Sequence, residues 1–407
     1  MGVFQAWAGW RKYRKLPQQW RNIVFYSESG QDWHYFEALI DVLNGDLERK
    51  VTYVTSDSSD PGLNRQHDLF EAICIPAGFF LTLHFQMQKA DVVVLTMMDL
   101  GNLQFKKSIN PVHYIYLFHS LGSTHMVDHA NSYDAYDSLF CTGPHHVKEL
   151  RKRELLAGIK PRHLFEYGHP RLERLLLESD SQQANPSNTG QVPGSLPKSQ
   201  PESPPVVLIG PTWGEQSIFN SCGDELTGIL LNAGFHVIIR PHYQTSLMTP
   251  EVLVKLKAKY GNHLNFEFQH RMGESDTLIR SDILICDWSA MAIEYALGLA
   301  KPVLFIDLPR RVRNPDWQAF DIEPLEASIR ASIGEIVSPL QLEQVPQKVD
   351  ELLQRKEQFR LAISQLREQL IFNIGSSISK GAAEIARIAE NTANERIATE
   401  QKQGRSS

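Results

Sequence analysis

The chain contains 407 residues, enough for two ordinary domains with separate hydrophobic cores. Its composition is typical of a soluble globular protein, and its net charge of -6 gives no overall basic excess of the kind that nucleic-acid-binding domains carry. No apolar run approaches the ~20 residues of a membrane-spanning helix, and we recognise no secretory signal with a cleavage site. The four scattered cysteines form no CxxC pair, which predicts a reducing, cytoplasmic environment.

The first 22 residues, MGVFQAWAGWRKYRKLPQQWRN, combine aromatic rings with five cations and contain no acidic residue. Trp7, Trp10 and Tyr13 are spaced as on a helix that lies flat on a surface. Rings and cations together suit the headgroup region of an anionic bilayer. We therefore predict that residues 1–22 form a membrane-surface segment. The alternative is that these rings cover a groove on the protein's own surface.

Short β-branched apolar runs alternate with helical or looping segments between residues 23 and 178. This alternation predicts a parallel sheet with helices on both faces, and therefore a Rossmann-like domain that ends in a helix around Arg171–Glu178. The predicted strands are Ile23–Tyr26, Val51–Val54, Ile73–Ile75, Val92–Leu95, Tyr114–Phe118 and Leu139–Cys141.

Residues 179–204 contain mainly Ser, Pro, Gln, Asn and Gly, with hardly an apolar side chain. Such a segment cannot bury enough apolar surface to fold, so it predicts a disordered linker. The alternation resumes in residues 205–338 and predicts a second Rossmann-like domain. Charged helices are expected over residues 339–390 and a polar tail over 391–407. The strands predicted in the second domain are Val206–Ile209, His236–Arg240, Asn265–Phe268, Ile283–Cys286 and Val303–Ile306.

Polar residues follow several predicted strands, at the edge where doubly wound sheets bind ligands. A histidine there can act as a general base, a glycine lets the backbone approach a ligand, and a cation or a helix N-terminus favours an anion. In the second domain these residue types suit a phosphate and a ribose, although Asp287 and Ser289 are also common helix caps. The candidate residues are His119 and Gly122 after Tyr114–Phe118, Thr212 after Val206–Ile209, Arg240 and His242 after His236–Ile239, and Asp287, Ser289 and Glu294 after Ile283–Cys286.

The sequence lacks three common catalytic motifs: HExxH, the GxxxxGK[ST] loop and GxGxxG. Their absence argues against a zinc hydrolase, a P-loop ATPase and a simple nicotinamide dehydrogenase. The remaining histidines have no carboxylate or cysteine companions at metal-ligand spacing, so we expect neither a metal site nor a bound cofactor.

Six segments of the chain carry a family resemblance: HSLGSTH at 119–125, SLFCTGPHHVKEL at 138–150, EYGHPRLERLL at 166–176, GPTWG at 210–214, RPH at 240–242 and DWSAMAIEYALGLAKPVLFID at 287–307. In this order they resemble the CDP-glycerol glycerophosphotransferases, the family of teichoic-acid primases and polymerases. The resemblance covers roughly Ile23 to Glu390, with residues 179–204 as an insertion. Three loops differ from the family pattern: HGTP is replaced by His119-Ser-Leu-Gly122, Gly214 stands where an arginine follows PTW, and Ala290 ends the DxSS motif.

The resemblance implies an α/β, GT-B-like fold, in which two Rossmann-like parallel-sheet domains face each other across a cleft and the C-terminal one holds a nucleotide. It implies transfer of glycerol phosphate, or a related polyol phosphate, from a CDP-linked donor to a hydroxyl of a lipid-linked or glycan acceptor during cell-envelope polymer synthesis. The enzyme would work at the inner face of the membrane and would use the nucleotide-activated donor as a substrate.

The resemblance also implies residue roles. The catalytic residues would be His119, as general base for the acceptor hydroxyl, and His242, which with Arg240 would stabilise the pyrophosphate. Ser289 would bind a phosphate oxygen together with the N–H groups of its helix. Asp287 and Glu294 would orient that loop or hold the ribose, and Gly122 and Thr212 would contact substrate.

Two other functions fit the same pattern. A UDP-sugar glycosyltransferase or 2-epimerase would share the fold and the strand-end residues. A non-catalytic membrane-surface binding protein would explain the altered loops after Tyr114–Phe118 and Val206–Ile209.

Overall fold

The computed structural model of this protein describes residues 2–98, 100–184, 203–269 and 275–404. The strands are β1 Ile23–Ser27, β2 Val51–Thr55, β3 Phe70–Cys74, β4 Val92–Leu95, β5 His113–Leu117, β6 Ser138–Cys141, β7 His163–Glu166, β8 Val206–Ile209, β9 His236–Ile239, β10 Phe266–Phe268, β11 Ile283–Cys286, β12 Val303–Ile306 and β13 Gly334–Val337.

The α-helices lie between and after these strands. They are α1 Gly2–Lys15, α2 Gln18–Arg21, α3 Trp33–Asn44, α4 Phe79–Met87, α5 Pro144–Ala157, α6 Pro170–Ala184, α7 Ile218–Ser221, α8 Gly223–Asn232, α9 Tyr243–Met248, α10 Pro250–Tyr260, α11 Asp276–Arg280, α12 Met291–Leu299, α13 Leu325–Ser328, α14 Arg330–Ile333, α15 Val345–Gln354, α16 Lys356–Leu370 and α17 Ser377–Gly404.

The chain forms two compact units that alternate along the sequence. The first unit contains Met1–Ser120, Asp128–Pro170 and Ile371–Ser407, and the second contains Leu121–Val127 and Arg171–Leu370. This division differs from the consecutive domains that we predicted. The helix expected to close the first domain belongs to the second unit from Arg171 onward, and the last helix returns to the first unit.

The first unit is built on a parallel sheet with strand order β3-β2-β1-β4-β5-β6-β7. Ile23 on the central strand β1 pairs with Val51 on one side and with Val92 on the other. The central strands are buried along their length because helices cover both faces, which explains their continuous apolar sequences. The strand order reverses between β1 and β4, so the loops after these two strands flank the switch point of this sheet.

The second unit is built on a parallel sheet with strand order β10-β9-β8-β11-β12-β13. Leu284 on β11 pairs with Leu208 on β8 and with Val303 on β12. The switch point lies between β8 and β11, whose following loops carry Thr212 and Asp287. The two parallel sheets confirm the predicted class of Rossmann-like α/β domains.

The sequence analysis did not predict β7 and β13, which are both edge strands. β7 has the half-exposed sequence HLFE, and β13 is the short segment GEIV. An edge strand needs fewer apolar residues than a strand covered on both sides, so neither segment shows the continuous apolar run by which the central strands were recognised.

Three predicted boundaries need correction. Helix α6 continues to Ala184, so residues 179–184 are not part of a disordered linker, and residues 185–202 lie outside the described residues. Residues 391–404, predicted as a polar tail, continue α17. The helical region after Pro339 is confirmed as helical, but it divides into α15 and α16, in the second unit, and α17, in the first.

Helix α17 completes the core of the first unit. Its inner face carries Ala382, Ile385, Ala386, Ile388 and Ala389, which are buried with the apolar residues of α3 and of the central strands. Spacings of three and four residues place these side chains on one side of the helix. The opposite side is polar, which is why this segment looked like a charged surface helix in the sequence.

The N-terminal segment forms helix α1, which packs on its own unit. Tyr13 is only 2% exposed and lies in the same hydrophobic cluster as β4 and α4. Trp10 contacts Phe80 of α4 with ring centroids 5.7 Å apart, and Lys12 forms an ion pair with Glu71 of β3. One face of α1 therefore covers the protein's own surface, as the alternative interpretation of this segment proposed.

Candidate active site

The predicted site residues of the second unit lie at the carboxyl edge of its sheet, in the loops that follow β8, β9 and β11. Because all strands of the sheet run in the same direction, these loops emerge at a common edge. Thr212, Arg240, His242, Asp287 and Ser289 are thereby brought to one side of the unit.

Asp287 connects the loops after β8 and β11. Its carboxylate accepts hydrogen bonds from the backbone N–H of Thr212 at 2.7 Å, of Ile218 at 3.1 Å and of Trp288 at 2.7 Å. Burial raises the pKa of Asp287, and these amide bonds oppose the rise. These bonds tie the loop after β8 to the turn after β11. Both roles considered for Asp287, orienting the loop and holding a ribose, stay predictions.

A close approach between Gly210 and Met291 sets the spacing of the same loops. A side chain at position 210 would place its Cβ 2.1 Å from Cε of Met291 and 3.2 Å from Cδ1 of Leu284. A larger residue at position 210 would require the end of the Met291 side chain to move. The glycine therefore allows the β8 loop to pack against the first residue of α12.

Ser289 stands one residue before Ala290, the N-cap residue of α12. Its Oγ accepts a hydrogen bond from the N–H of Met291 at 3.3 Å, and its carbonyl accepts from Ala292 at 3.1 Å. The N–H groups of Ile293 and Glu294 bond to the carbonyl of Ala290. The first-turn amides of α12 are thus engaged within the turn, whereas the Ser289 hydroxyl can still donate its own proton to a ligand.

Glu294 has a partner on another helix of the same unit. Its carboxylate lies 3.3 Å from Nε of Arg171 on α6, and its side chain is 9% exposed. This ion pair ties α12 to α6. A role for Glu294 in holding a ribose stays a prediction.

Arg240 and His242 follow β9. Arg240 is buried, and its Nη1 donates to Oγ1 of Thr277 at 2.9 Å, while Thr277 in turn donates to Gln269. These contacts fix the guanidinium at the edge of the sheet. Arg240 is therefore held in place by its own unit before any ligand binds.

His242 is a neutral hydrogen-bond donor at physiological pH. Burial, together with the positive charge of Arg311, lowers its pKa to about 4. Its Nδ1 accepts a hydrogen bond from the N–H of Gln244 at 3.1 Å, which places the proton of the neutral ring on Nε2. Such a ring can donate Nε2–H to an anionic oxygen, and it is not a general base at pH 7.

The sequence analysis did not identify Arg311, which follows β12. Its guanidinium lies over the ring of Trp213, 3.9 Å from the centroid, and its Nη1 donates to Oγ1 of Thr212 at 3.4 Å. The Trp213 and His242 rings are 6.1 Å apart, so Arg311 belongs to the same group of residues. Extending the search for strand-end residues to β12 would have found the run Arg310-Arg311.

Two further arginines hold Trp288, which follows Asp287. Arg330 lies 4.3 Å and Arg310 lies 5.3 Å from the centroid of the indole ring, and the indole Nε1 donates to the carbonyl of Leu308 at 2.6 Å. Arg330 also pairs with Asp307 at the end of β12 at 2.9 Å. These contacts connect the β11 turn with the β12 loop that carries Arg311.

His119 lies at the carboxyl edge of the sheet in the first unit, after β5. Its ring is 4.9 Å from the ring of Tyr35 on α3 and 6.5 Å from that of Tyr116 on β5. Nε2 of His169 donates to the carbonyl of His119 at 3.4 Å. The structure thus places Tyr116 of the preceding strand beside this predicted base, together with Tyr35 and His169, which the sequence analysis did not connect with it because they lie far away in the chain.

Gly122 belongs to the second unit, although it is only three residues beyond His119. It is buried in the segment Leu121–Val127, which Glu326 holds by accepting hydrogen bonds from the N–H of Ser123 at 2.9 Å and from its Oγ at 2.7 Å. Substrate contact by Gly122 stays a prediction.

Among the described residues, no group of three or more His, Cys, Asp or Glu side chains is arranged to hold a metal ion. The groups that can bind a ligand at the edge of the second sheet are cationic and hydrogen-bond-donating. This chemistry suits an anion such as a phosphate.

Comparison with known proteins identifies the family of this chain. Residues 23–309, more than half of the chain, match the family described as CDP-Glycerol:Poly(glycerophosphate) glycerophosphotransferase. The chain belongs to this family. Its members are transferases, and the match covers β5 with His119, the loops after β8, β9 and β11, and strand β12. A search of curated proteins finds no match.

Solved structures show the same fold. A variant of the wall teichoic acid polymerase TagF superposes with a TM-score of 0.62 at 14% identity, covering 96% of this chain and 95% of that chain. A TagF variant soaked with CDPG gives a TM-score of 0.61 at 12% identity, with the same coverage. A UDP-GlcNAc 2-epimerase from Methanocaldococcus jannaschii, in complex with UDP-GlcNAc and UDP, gives 0.55 at 13% identity, covering 90% of this chain and 99% of that chain. These similarities confirm the predicted GT-B-like fold.

Proposed function

We propose that this protein transfers glycerol phosphate, or a related polyol phosphate, from a CDP-linked donor to a hydroxyl group of a membrane- or lipid-linked acceptor, as a step in the synthesis of a cell-envelope polymer. Membership of the glycerophosphotransferase family supports the reaction class. The single structural observation that carries the proposal is the group of phosphate-compatible donors at the edge of the second sheet, with His242 held as an Nε2–H donor by its bond from Gln244.

In the proposed reaction, the acceptor hydroxyl oxygen attacks the phosphorus that bears the glycerol. A new P–O bond forms, the bond to the bridging diphosphate oxygen breaks, and CMP leaves with the electron pair of that bond. The hydroxyl proton passes to His119, which acts as the general base. Phosphoryl transfer of this kind depends mainly on positioning and on neutralising charge, because the protein forms no covalent intermediate.

The residues of the second unit are suited to the growing charge on CMP. Nε2–H of His242 and the Oγ of Ser289 can donate hydrogen bonds, while Arg240 supplies a fixed positive charge. The amide bonds to Asp287 keep Thr212 and the turn after β11 in place during the reaction. The protein thus contributes a preorganised set of donors.

Product analysis tests the reaction directly. The purified protein is incubated with CDP-glycerol and a lipid-linked acceptor, and CMP and the extended acceptor are measured. Equal amounts of both products support the proposal. Turnover of UDP-sugars with none of CDP-glycerol would favour the glycosyltransferase or epimerase alternative, and binding without turnover of either donor would favour a non-catalytic protein.

The N-terminal helix supports the membrane part of the proposal. On α1 the side chains of Val3 and Phe4 are 77% and 73% exposed, and on the neighbouring α4 that of Phe79 is 72% exposed. Arg11 and Arg14, on α1, are exposed and lie over the rings of Trp7 and Trp10. Exposed apolar side chains beside cations fit the interface of an anionic bilayer, where each cation contributes about 1 kcal/mol. No helix among the described residues is both long and apolar enough to span a bilayer.

Vesicle co-sedimentation tests this attachment. Deleting α1 would expose the core around Tyr13, so point substitutions are preferable. We expect the double variant Phe4→Ser/Phe79→Ser to bind anionic vesicles several-fold more weakly. The double variant Arg11→Gln/Arg14→Gln should lose the part of the vesicle binding that is sensitive to salt. Leu361→Ser, at a residue on α16 that is 60% exposed, is the matched control. Equal binding by all these variants, or no preference for anionic lipid, would refute the attachment through this surface.

A further inference from the structure

We propose that Arg311 is a phosphate-binding residue of this site and that, together with Nε2–H of His242, it holds the phosphate oxygens of the nucleotide leaving group. This inference rests on the proposed function and deepens it, because it names a residue that recognises the anionic part of the donor. Neither the sequence motifs nor the family match assigns Arg311 a role.

Position is the first argument. Arg311 follows β12, the strand next to β11, and its guanidinium reaches back over the β8 loop to Trp213 and Thr212. The backbone N–H of Thr212 is in turn held by Asp287. Arg311 therefore contacts a loop that is itself held by the buried Asp287.

The contact with Trp213 is the second argument. The guanidinium carbon of Arg311 lies over the Trp213 ring, 3.9 Å from its centroid, and Nη1 also donates to Thr212. These two contacts hold the cation beside the β8 loop. A guanidinium carries its N–H donors in one plane and can bind two phosphate oxygens at once, which suits an arginine at this place to a phosphate.

The electrostatic effect on His242 is the third argument. The positive charge of Arg311 is one of the two causes that depress the pKa of the imidazole, the other being burial. An uncharged imidazole and a nearby cation act together on an anion without competing for it, because the ring donates Nε2–H and the guanidinium supplies the charge. Both groups border Trp213, and we infer that a phosphate bound there contacts both.

Nucleotide binding to the full-length protein tests the assignment. The affinities of CMP and cytidine are measured by calorimetry for the wild type, Arg311→Gln, Arg311→Lys, Trp213→Phe, Trp213→Leu and Arg360→Gln. Arg360 is an exposed arginine on α16, so its substitution removes the same charge from the same unit without touching the loops of the site. Melting temperatures establish that every variant is folded.

We expect Arg311→Gln to weaken CMP binding about tenfold to a hundredfold and to leave cytidine binding unchanged, since only CMP carries the phosphate. Arg311→Lys should recover part of the loss, because it keeps the charge and loses the planar pair of donors. Trp213→Phe should retain more CMP affinity than Trp213→Leu, because a phenyl ring still supports the guanidinium. Arg360→Gln should behave as the wild type.

Two results would overturn the assignment: unchanged CMP affinity in Arg311→Gln, or an equal loss of CMP and cytidine, which would mean that Arg311 only supports the fold of the loop. A wild type that binds UMP and not CMP would refute the cytidine donor of the proposed function. Arg311 would then be tested by the same comparison of UMP with uridine. A wild type that binds neither nucleotide refutes both proposals.

Discussion

Asp287 shows how far the residues of this site could be interpreted from sequence. The sequence placed it correctly at the end of β11 and offered three roles for it: a helix cap, a loop-orienting group or a ribose ligand. The structure gives it the N–H groups of Thr212, Ile218 and Trp288. Two of these partners lie about seventy residues away in the chain, and only the pairing of β8 with β11 brings them to Asp287. Such a role depends on tertiary structure, which no local motif encodes.

We predict that Asp287→Asn destabilises the protein by about 2–3 kcal/mol, because the amide has one acceptor oxygen and turns its NH₂ group towards a donor that the carboxylate satisfied. Urea denaturation monitored by tryptophan fluorescence measures this change. Asp276→Asn is the control: its carboxylate is 67% exposed in an ion pair with Arg280, so its loss should cost less than about 0.5 kcal/mol. Equal effects of the two substitutions would show that the amide bonds to Asp287 contribute little.

His242 and His119 were both predicted as catalytic residues, and the roles proposed for them differ in their expected dependence on pH. With a pKa lowered to about 4, His242 stays neutral as the pH falls from 8 to 6 and becomes protonated only near pH 4, where its Nδ1 would lose the bond from Gln244. It therefore contributes no change in activity between pH 6 and 8. A base that must be unprotonated, the role proposed for His119, would reduce the rate as the pH falls through its own pKa.

We predict that His242→Gln lowers kcat at least tenfold but leaves the shape of the pH profile between pH 6 and 8 unchanged, because it removes a neutral donor. His119→Gln should lower kcat by ~10²–10⁴-fold and abolish the acidic limb of the profile. Initial rates of CMP release across this pH range test both statements. If His242→Gln removes the acidic limb, His242 is the titrating base and the assigned roles must be exchanged.

Helix α1 illustrates what the sequence could and could not reveal about an element. Its aromatic and basic residues predicted a surface helix, and a helix is present. The sequence did not show which face of α1 packs on the protein, because that face consists of the small residues Ala6 and Gly9 and of Tyr13. Gly9 meets the carbonyl of Cys74 on β3, where an added Cβ would lie 2.1 Å from the oxygen. This contact with a distant strand leaves no periodic apolar signal.

We predict that Gly9→Ala destabilises the protein by about 1–3 kcal/mol, because the methyl group pushes α1 away from β3 and this cost exceeds the ~1 kcal/mol gain in helix propensity. Gly2→Ala is the matched control, since no atom lies within 4 Å of a Cβ at that position and α1 begins there. Thermal unfolding of both variants measures the difference. A Gly9→Ala protein as stable as Gly2→Ala would mean that α1 is not seated on β3.

Across the whole chain, the sequence predicted the number and type of sheets better than the path between them. Central strands have a local signal, because burial on both faces requires continuous apolar residues. The sequence around the last helix gives almost no sign that this helix packs on the first unit. Helix α17 looked like a charged helix followed by a tail, because the residues that it buries are few and mostly alanine. Consecutive domains were the simpler interpretation, and the contacts of α17 contradict it.

The role of α17 can be tested by comparing two isoleucines on the same helix. Ile385 is fully buried against the core of the first unit, whereas Ile397, in the stretch predicted as a tail, is 44% exposed. We predict that Ile385→Ala lowers the free energy of unfolding by about 2–5 kcal/mol and Ile397→Ala by less than about 0.5 kcal/mol.

Since a chain with two units need not unfold in one step, hydrogen exchange is the better measurement. The amides of α3, which shares its core with α17, should lose protection in Ile385→Ala, while those of β8 and β11 in the second unit should keep it. Unchanged protection of α3 would mean that α17 is dispensable for the first unit.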